Sequence, residues 1–358
     1  MGYADFKQFE EADFAFRNSK GKVKQPPVLP EYARVADTHC HLNMLDNPGL
    51  ALARSAAHGV SFICSMTDPA EVFAHAGDDS ARLGAGQSYD AIEAWLHDAR
   101  AYLDAWGMQG CALPELVCAC GVHPHNAKFW DQAKDELHAL LSRPETRCLG
   151  EIGLDYHYDF SPRETQRDVF ARQLEIAQES GLAVSLHLRE AHADALDILR
   201  HVGVPQAGCI VHCFNLGAQD VLQFVELGCH IALGGPLTFK KSWYTRSALA
   251  NVPVDKLLTE TDAPYMAPEP LRGTVCGPDQ TVYTMRILLD CFGYSGDARA
   301  RELMQPRQID IDNGVAAPPL DDLDFEELRL GMSERDFCNQ VYANAIELLA
   351  GTSEERSQ

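Results

Sequence analysis

The sequence predicts an α/β protein built as a (β/α)8 (TIM) barrel with insertions. Three observations predict it. From Val35 onward, short β-branched runs alternate with amphipathic stretches, the mark of repeated βα units and a parallel sheet. Eight such units fit into roughly 230 residues, the size of one barrel. Finally, chemistry-bearing residues stand at the ends of at least five predicted strands. That favours a closed barrel over a doubly wound open sheet, because barrel strands bring their carboxyl ends to one face.

The strands follow in order: Val35–Cys40, Val60–Met66, Leu116–Gly121, Cys148–Gly153, Ala183–His187, Cys209–His212, His230–Leu233 and Lys256–Glu260. The clearest helices are Ser88–Trp106 and Arg163–Ser180. Ser161-Pro162 reads as an N-cap and first-turn pair for the latter, and Gly181 as its stop. Ser333–Ala350 is a patterned closing helix with Phe337, Val341, Ile346 and Leu349 among its apolar positions. Residues 1–34 read as an extension whose Gly21 to Pro30 stretch is an ordered arm or a linker. One barrel domain covers 35–358, with insertions at about 68–115 and 272–332. The first begins with an Ala/Gly/Asp-rich loop or loop-helix. The second carries an acidic run (Asp321, Asp322, Asp324, Glu326, Glu327) and reads as a partly ordered cap or an interaction surface.

Composition excludes several classes. With 46% hydrophobic and 23% charged residues, the 358-residue chain is an ordinary globular one. No apolar run reaches the ~18–20 residues of a membrane span. Met1 to Glu11 lacks a signal-peptide core. The 12 cysteines then read as reduced thiols of a cytoplasmic protein. A net charge of −22 argues against a broad basic surface that grips nucleic acid by counterion release. A nuclease stays open, because divalent ions supply local positive charge. The 14 histidines, several of them close together, are what needs explaining.

Asp37-Thr38-His39-Cys40-His41 ends the first strand. Residues two apart share a side, so His39 and His41 can reach one ion. An isolated pair of this spacing is as readily two packed or surface histidines. Asp37 is placed to orient a ligating ring. Gly121-Val122-His123-Pro124-His125 follows the third strand as a tight turn, in which histidines are more often structural. Glu151, in Gly150-Glu151-Ile152-Gly153-Leu154-Asp155-Tyr156-His157, lies in an apolar strand where an unpaired carboxylate is costly. It needs a metal, a cation or a proton. It could bridge two ions, or form a structural pair with an arginine. His187 ends the fifth strand, with Arg189 on the same side to clamp an anionic oxygen. His212 ends the sixth, and Cys213 beside it reads as a small buried filler. Asp262 ends the eighth and can both bind metal and take the proton of an attacking water. Glu260 reads as pointing to the other side of that strand, a pairing or structural group. Together His39, His41, Glu151, His187, His212 and Asp262 make the ligand set of a binuclear centre at one barrel face.

The strings DTHCHL, GVHPH, GEIGLDYH, HLREA, HCF, GGPLTFKK and ETDAPY, in this order, resemble the TatD family of metal-dependent hydrolases, within the amidohydrolase-like superfamily. The match runs from about Asp37 to Arg272 and resumes at Asn344. The resemblance implies a TIM barrel and a metal-dependent deoxyribonuclease, typically a 3′→5′ exonuclease on single strands. It implies two divalent ions (Mg, Mn or Zn), one held by His39, His41, Glu151 and Asp262. Glu151, His187 and His212 would hold the other, with Glu151 bridging. His123 would contact substrate beside the site, and Gly234 to Lys241 would form part of the rim. One departure stands out: after Arg272-Gly273 the family usually carries an Asn-Glu-Pro turn, and this chain reads Thr274-Val275-Cys276-Gly277-Pro278.

The leading expectation is hydrolysis of DNA ends or single strands, with no organic cofactor and no membrane partner. Arg189 with Lys240 or Lys241 would steady phosphates. Tyr156, Phe214, Phe239, Trp243 and Tyr265 are stacking candidates, each equally explained as packing. The alternative is a small amide, lactone or ester, which the net charge favours through its repulsive far field toward polyanions. The fourth strand carries Glu151 where many related amidohydrolases carry a modified lysine, which favours the nuclease. A metal-holding scaffold with the acidic 300–336 segment as its interaction surface is a third, non-enzymatic reading.

Overall fold

A computed structural model describes residues 15–75, 83–320 and 322–350. Met1 to Glu11, where the sequence was searched for a signal-peptide core, part of the Ala/Gly/Asp-rich stretch, and Asp321 lie outside them.

The eight expected strands all form: β1 Val35–Cys40, β2 Val60–Thr67, β3 Glu115–Cys120, β4 Thr146–Asp155, β5 Ala183–Arg189, β6 Cys209–Val211, β7 His230–Leu233 and β8 Leu257–Thr259. They pair in parallel, each with its neighbour in sequence, as one eight-stranded sheet. The fold is a (β/α)8 barrel. Its seam, between β8 and β1, is closed by side chains and loop backbone. The Thr259 hydroxyl donates to the Ala36 carbonyl at 2.8 Å, and the Thr38 hydroxyl to the Thr259 carbonyl at 3.2 Å. Just beyond the strands, the Asp262 N–H donates to the His39 carbonyl (2.8 Å) and the His41 N–H to the Ala263 carbonyl (2.7 Å). The seam is therefore stitched at the two segments that carry the first and last candidate ligands.

Strands β4 and β5 run two residues further than expected, to Asp155 and Arg189. Gly153 permits this. Its φ is +139°, and a Cβ there would overlap the His187 carbonyl. Only glycine lets the two strands approach so closely at that register.

Two apolar layers hold the barrel. The interior is filled by apolar side chains of mixed size, among them Ala36, Phe62, Cys64, Met66, Ala119, Ile210, Ala232 and Leu258. Ala345 and Leu349 of the closing helix, Glu334–Leu349, complete this layer and plug the end of the barrel. Ser333 caps that helix by accepting from the Asp336 N–H. The larger layer lies between the strands and the surrounding helices.

Some local readings shift. Helix Arg163–Ser180 forms and stops at left-handed Gly181 (φ +65°), but Pro162 takes the cap position without a side-chain cap. Ser161 instead donates to the His125 carbonyl and accepts from the Lys128 N–H, because that turn has donors and acceptors of its own to satisfy. The Ser88–Trp106 helix is broken at Ala91 into Ala85–Asp90 and Ile92–Ala105. The second piece crosses Pro48–Ala57 closely, and a Cβ on Gly49 would stand 2.7 Å from Asp98 Cβ. In the 272–332 region, helix Thr281–Cys291 is buried core, not cap. Asp324 of the acidic run caps the short helix Phe325–Leu328, whose Phe325 is buried. From Phe16 on, the extension is an ordered arm. Phe16 is buried, 4.3 Å from the His58 ring and 5.1 Å from that of Tyr283, and Tyr283 donates to the Gln25 carbonyl. All 12 cysteines are free, and no described helix is long and apolar enough to cross a membrane.

Asn344 locks the plug. Its buried amide donates to the Val254 and Leu257 carbonyls at 2.8 and 2.9 Å. Asn344→Ala leaves both acceptors unpaired, so urea unfolding should show a loss of about 2–3 kcal/mol. An unchanged midpoint would mean that the closing helix is held by its apolar face alone.

Candidate metal centre

At the carboxyl ends of the strands, Glu151 stands in the middle of a ring of histidines. It is only 7% exposed, and no Arg or Lys pairs with it among the described residues. Its two oxygens face different groups. Oε2 lies 3.4 Å from His39 Nε2 and 3.7 Å from His41 Nε2. Those nitrogens are also 4.0 and 3.5 Å from Asp262 Oδ1. Oε1 lies 2.6 Å from His187 Nδ1, 3.5 Å from His212 Nε2 and 3.6 Å from His123 Nε2.

The potential ligand atoms of His39, His41 and Asp262 all lie within 4.8 Å of one another, as do those of Glu151, His187 and His212. Each set is imidazole nitrogen with carboxylate oxygen, a donor mixture suited to a divalent ion. One further atom fits that reading. His39 Nε2 is buried and has no hydrogen-bond partner, while its Nδ1 lies 3.3 Å from Ser185 Oγ. A buried imidazole nitrogen left bare beside two carboxylates fits a cation.

The electrostatics are those of a cation pocket. Burial opposes ionisation of Glu151, yet the rings of His123, His39 and His187 outweigh it and hold the carboxyl well below its usual range. Burial alone would depress His187 and His212. The Glu151 charge with the Asp155 and Glu151 hydrogen bonds raises His187 to about 9, and Glu260 with Glu151 raises His212 to about 10. His123 follows burial instead, down to about 4.

Backbone strain helps to aim the groups. Asp262 and Cys213 adopt left-handed conformations at φ +63° and +48°, costly for residues with a Cβ and typical of functional sites. The Asp262 turn is held by the His39 carbonyl, and the Cys213 N–H donates to Glu260 Oε1 at 2.6 Å. The substituted segment 274–278 supports the same turn, since the Cys276 N–H donates to the Pro264 carbonyl at 3.0 Å.

A model of the TatD related DNase family matches residues 36–304. The chain belongs to this family. It is 32% identical over 245 residues to the uncharacterized metal-dependent hydrolase YcfH of Escherichia coli (strain K12), covering 67% of this chain and 81% of that protein. It is 36% identical over 169 residues to the 3′-5′ ssDNA/RNA exonuclease TatD of Cronobacter turicensis, covering 46% of this chain and 64% of that one. The crystal structure of YJJV, a TatD homologue from Escherichia coli K12, superposes with a TM-score of 0.62 at 25% identity over 89% of this chain and 99% of that one. The protein is a TatD-family metal-dependent hydrolase.

Within this TatD-family chain, the six expected ligand residues come together, with His123 at their edge. The Arg189 guanidinium lies over the Tyr158 ring, 4.7 Å from the centroid. Asp37 orients no ring. It accepts from the His39 and Thr261 N–H groups and the Thr261 hydroxyl, tying the barrel seam instead. The Cys213 thiol is pushed up by burial and keeps its proton. Of the stacking candidates, Phe214 is core, the Phe239 face is covered by Arg272, and Tyr156 carries Arg163 over its ring and donates to Asp194. Tyr265 stays exposed, 6.3 Å from the His41 ring.

Two carboxylates escaped sequence reasoning. Glu260 does not point away. Strand β8 stops at Thr259, and Glu260 turns inward, fully buried, with Oε1 3.0 Å from His212 Nδ1. Asp155 is also fully buried, 2.8 Å from His125 Nε2 and 3.1 Å from His187 Nε2. The signal that could have found it is parity, since 151, 153 and 155 share a strand side. Carboxylates behind ligating histidines set ring orientation and basicity. Glu260→Gln should therefore weaken manganese binding about tenfold or more in a metal titration. Unaltered affinity would reduce Glu260 to a structural group.

Proposed function

We propose that the chain hydrolyses phosphodiester bonds at the 3′ ends of single-stranded DNA, with two divalent ions held by His39, His41, Glu151 and Asp262 on one side and by Glu151, His187 and His212 on the other. The observation that carries this reading is the division of Glu151, one oxygen to each ligand group. Two magnesium, manganese or zinc ions, when bound, supply the Lewis acidity and water activation that phosphodiester hydrolysis needs. The protein's own groups do the rest. Asp262 Oδ1 faces His39 and His41 and is placed to accept a proton from the attacking water. Its carboxyl is held below the usual range, chiefly by the His41 hydrogen bond against burial, so it is ionised and ready to accept. His123 at the edge of the cluster and Arg189 beside it are the groups to meet the substrate. The printed activity of the Cronobacter relative supports the substrate class. The net charge of −22 favours a second reading, a small amide, lactone or ester at the same centre.

The two readings part on one assay. A 5′-labelled single-stranded oligonucleotide should shorten from its 3′ end with magnesium or manganese, and not with EDTA. No cleavage under any metal transfers the site to the small-molecule reading. Glu151→Ala should lose both ions, by metal analysis, while circular dichroism stays native. Full retention of metal would end the bridging role. Asp262→Asn should keep much of the metal and lower kcat by about a hundredfold or more. Unchanged turnover would remove its role as base.

A further inference from the structure

The loop after β4, residues 156–162, carries two exposed benzene rings, Tyr158 and Phe160, with no part in the ligand cluster. Tyr158 and Phe160 lie nearly parallel, 8° apart with centroids at 5.2 Å, and remain 48% and 55% exposed. They stand one ring away from the centre. Each meets His125 edge-on, at 5.5 and 4.9 Å, and His125 lies 4.3 Å from His123 and 5.9 Å from His187.

The loop is tied down although its rings lie in water. Asp155 Oδ1 accepts from the His157 and Tyr158 N–H groups at 2.9 and 3.0 Å. Its other oxygen faces His125 and His187. One buried carboxylate thus registers the aromatic pair to the ligand cluster. Ser161 donates to the His125 carbonyl, Gln166 donates to the Ser161 and Asp155 carbonyls, and Lys128 Nζ donates to the Phe160 carbonyl. Rings fixed this way lose little freedom when a flat ligand covers them. Arg189 over Tyr158 and Lys128 at Phe160 bring positive charge to this spot in a chain of net charge −22. An aromatic face with cations beside it, at the mouth of a hydrolytic centre, matches one ligand type: a heteroaromatic base carrying a phosphate.

We propose that Phe160, backed by the parallel Tyr158 ring whose face Arg189 covers, forms a nucleobase-stacking subsite with Lys128 beside it to meet the attached phosphate, which seats the terminal nucleotide on the His187 side of the centre. The subsite rests on the phosphodiesterase reading and names the part of the substrate that reading leaves unspecified. Base–aromatic stacking is worth about five- to 150-fold in affinity per base.

The test compares 2′-deoxyadenosine 5′-monophosphate with 2-deoxyribose 5-phosphate by calorimetry on the manganese-supplied protein. The wild type should bind the nucleotide about tenfold or more tightly than the sugar phosphate. In Tyr158→Ala/Phe160→Ala that advantage should fall to about twofold or less, with the sugar phosphate bound as before. Tyr158→Phe should keep it. An advantage that survives the double substitution, or is missing in the wild type, overturns the subsite. A parallel digestion of oligonucleotides ending in a normal or an abasic 3′ residue separates the two claims. Cleavage with equal KM for both ends keeps the nuclease and removes the platform. No cleavage, with a nucleotide advantage that depends on the two rings, removes the nuclease and keeps the platform.

Discussion

A carboxylate buried among histidines, with no arginine or lysine among the described residues to neutralise it, is the constraint around which the mouth of this barrel is arranged. Glu151 sits in an apolar strand at 7% exposure, where an isolated negative charge is prohibitively unfavourable. Five imidazoles close around it, divided between its two oxygens. The arrangement accounts for the otherwise bare His39 Nε2 and for the opposed shifts of His123 and His187. It also explains the tolerance of left-handed backbone at Asp262 and Cys213, whose strain the surrounding hydrogen bonds hold in place.

Behind the ligand cluster stand further buried acids, each with different partners. Glu260 fixes the His212 ring and the Cys213 backbone. Asp155 reaches His125 and His187 with one oxygen and the β4 loop with the other. Asp37 stitches the barrel seam. Other acids form local pairs, such as Arg307 with Asp310 and Arg286 with Asp290 and Glu334.

The eight strands were legible because a buried parallel strand must be a short apolar run, whatever its neighbours. Helix ends were less so. Ser161 has the chemistry of a cap, but a nearby turn claimed its hydroxyl, and only the packed structure shows which partners are closer. Helix Thr281–Cys291 was hidden inside a Gly/Pro-punctuated region, and its burial comes from long-range contacts that periodicity cannot report. The N-terminal arm was ambiguous for the same reason: Phe16 finds its partners at His58 and Tyr283, far along the chain.

By itself the sequence determined which residues could act. Histidines and acids at strand ends must converge if the strands close into a barrel, since closure sends every carboxyl end to one face. The tertiary structure alone decided what each of them does. Asp37, Asp155 and Glu260 all carry carboxyl groups near the same motifs, and none of their roles follows from composition or spacing. One ties a seam, one joins the ligand cluster to an exposed aromatic loop, and one holds a ring. The difference lies in which oxygen meets which donor across separations of up to 224 residues in the chain. Hydrogen bonds act over about 3 Å in space, and sequence distance carries no record of it.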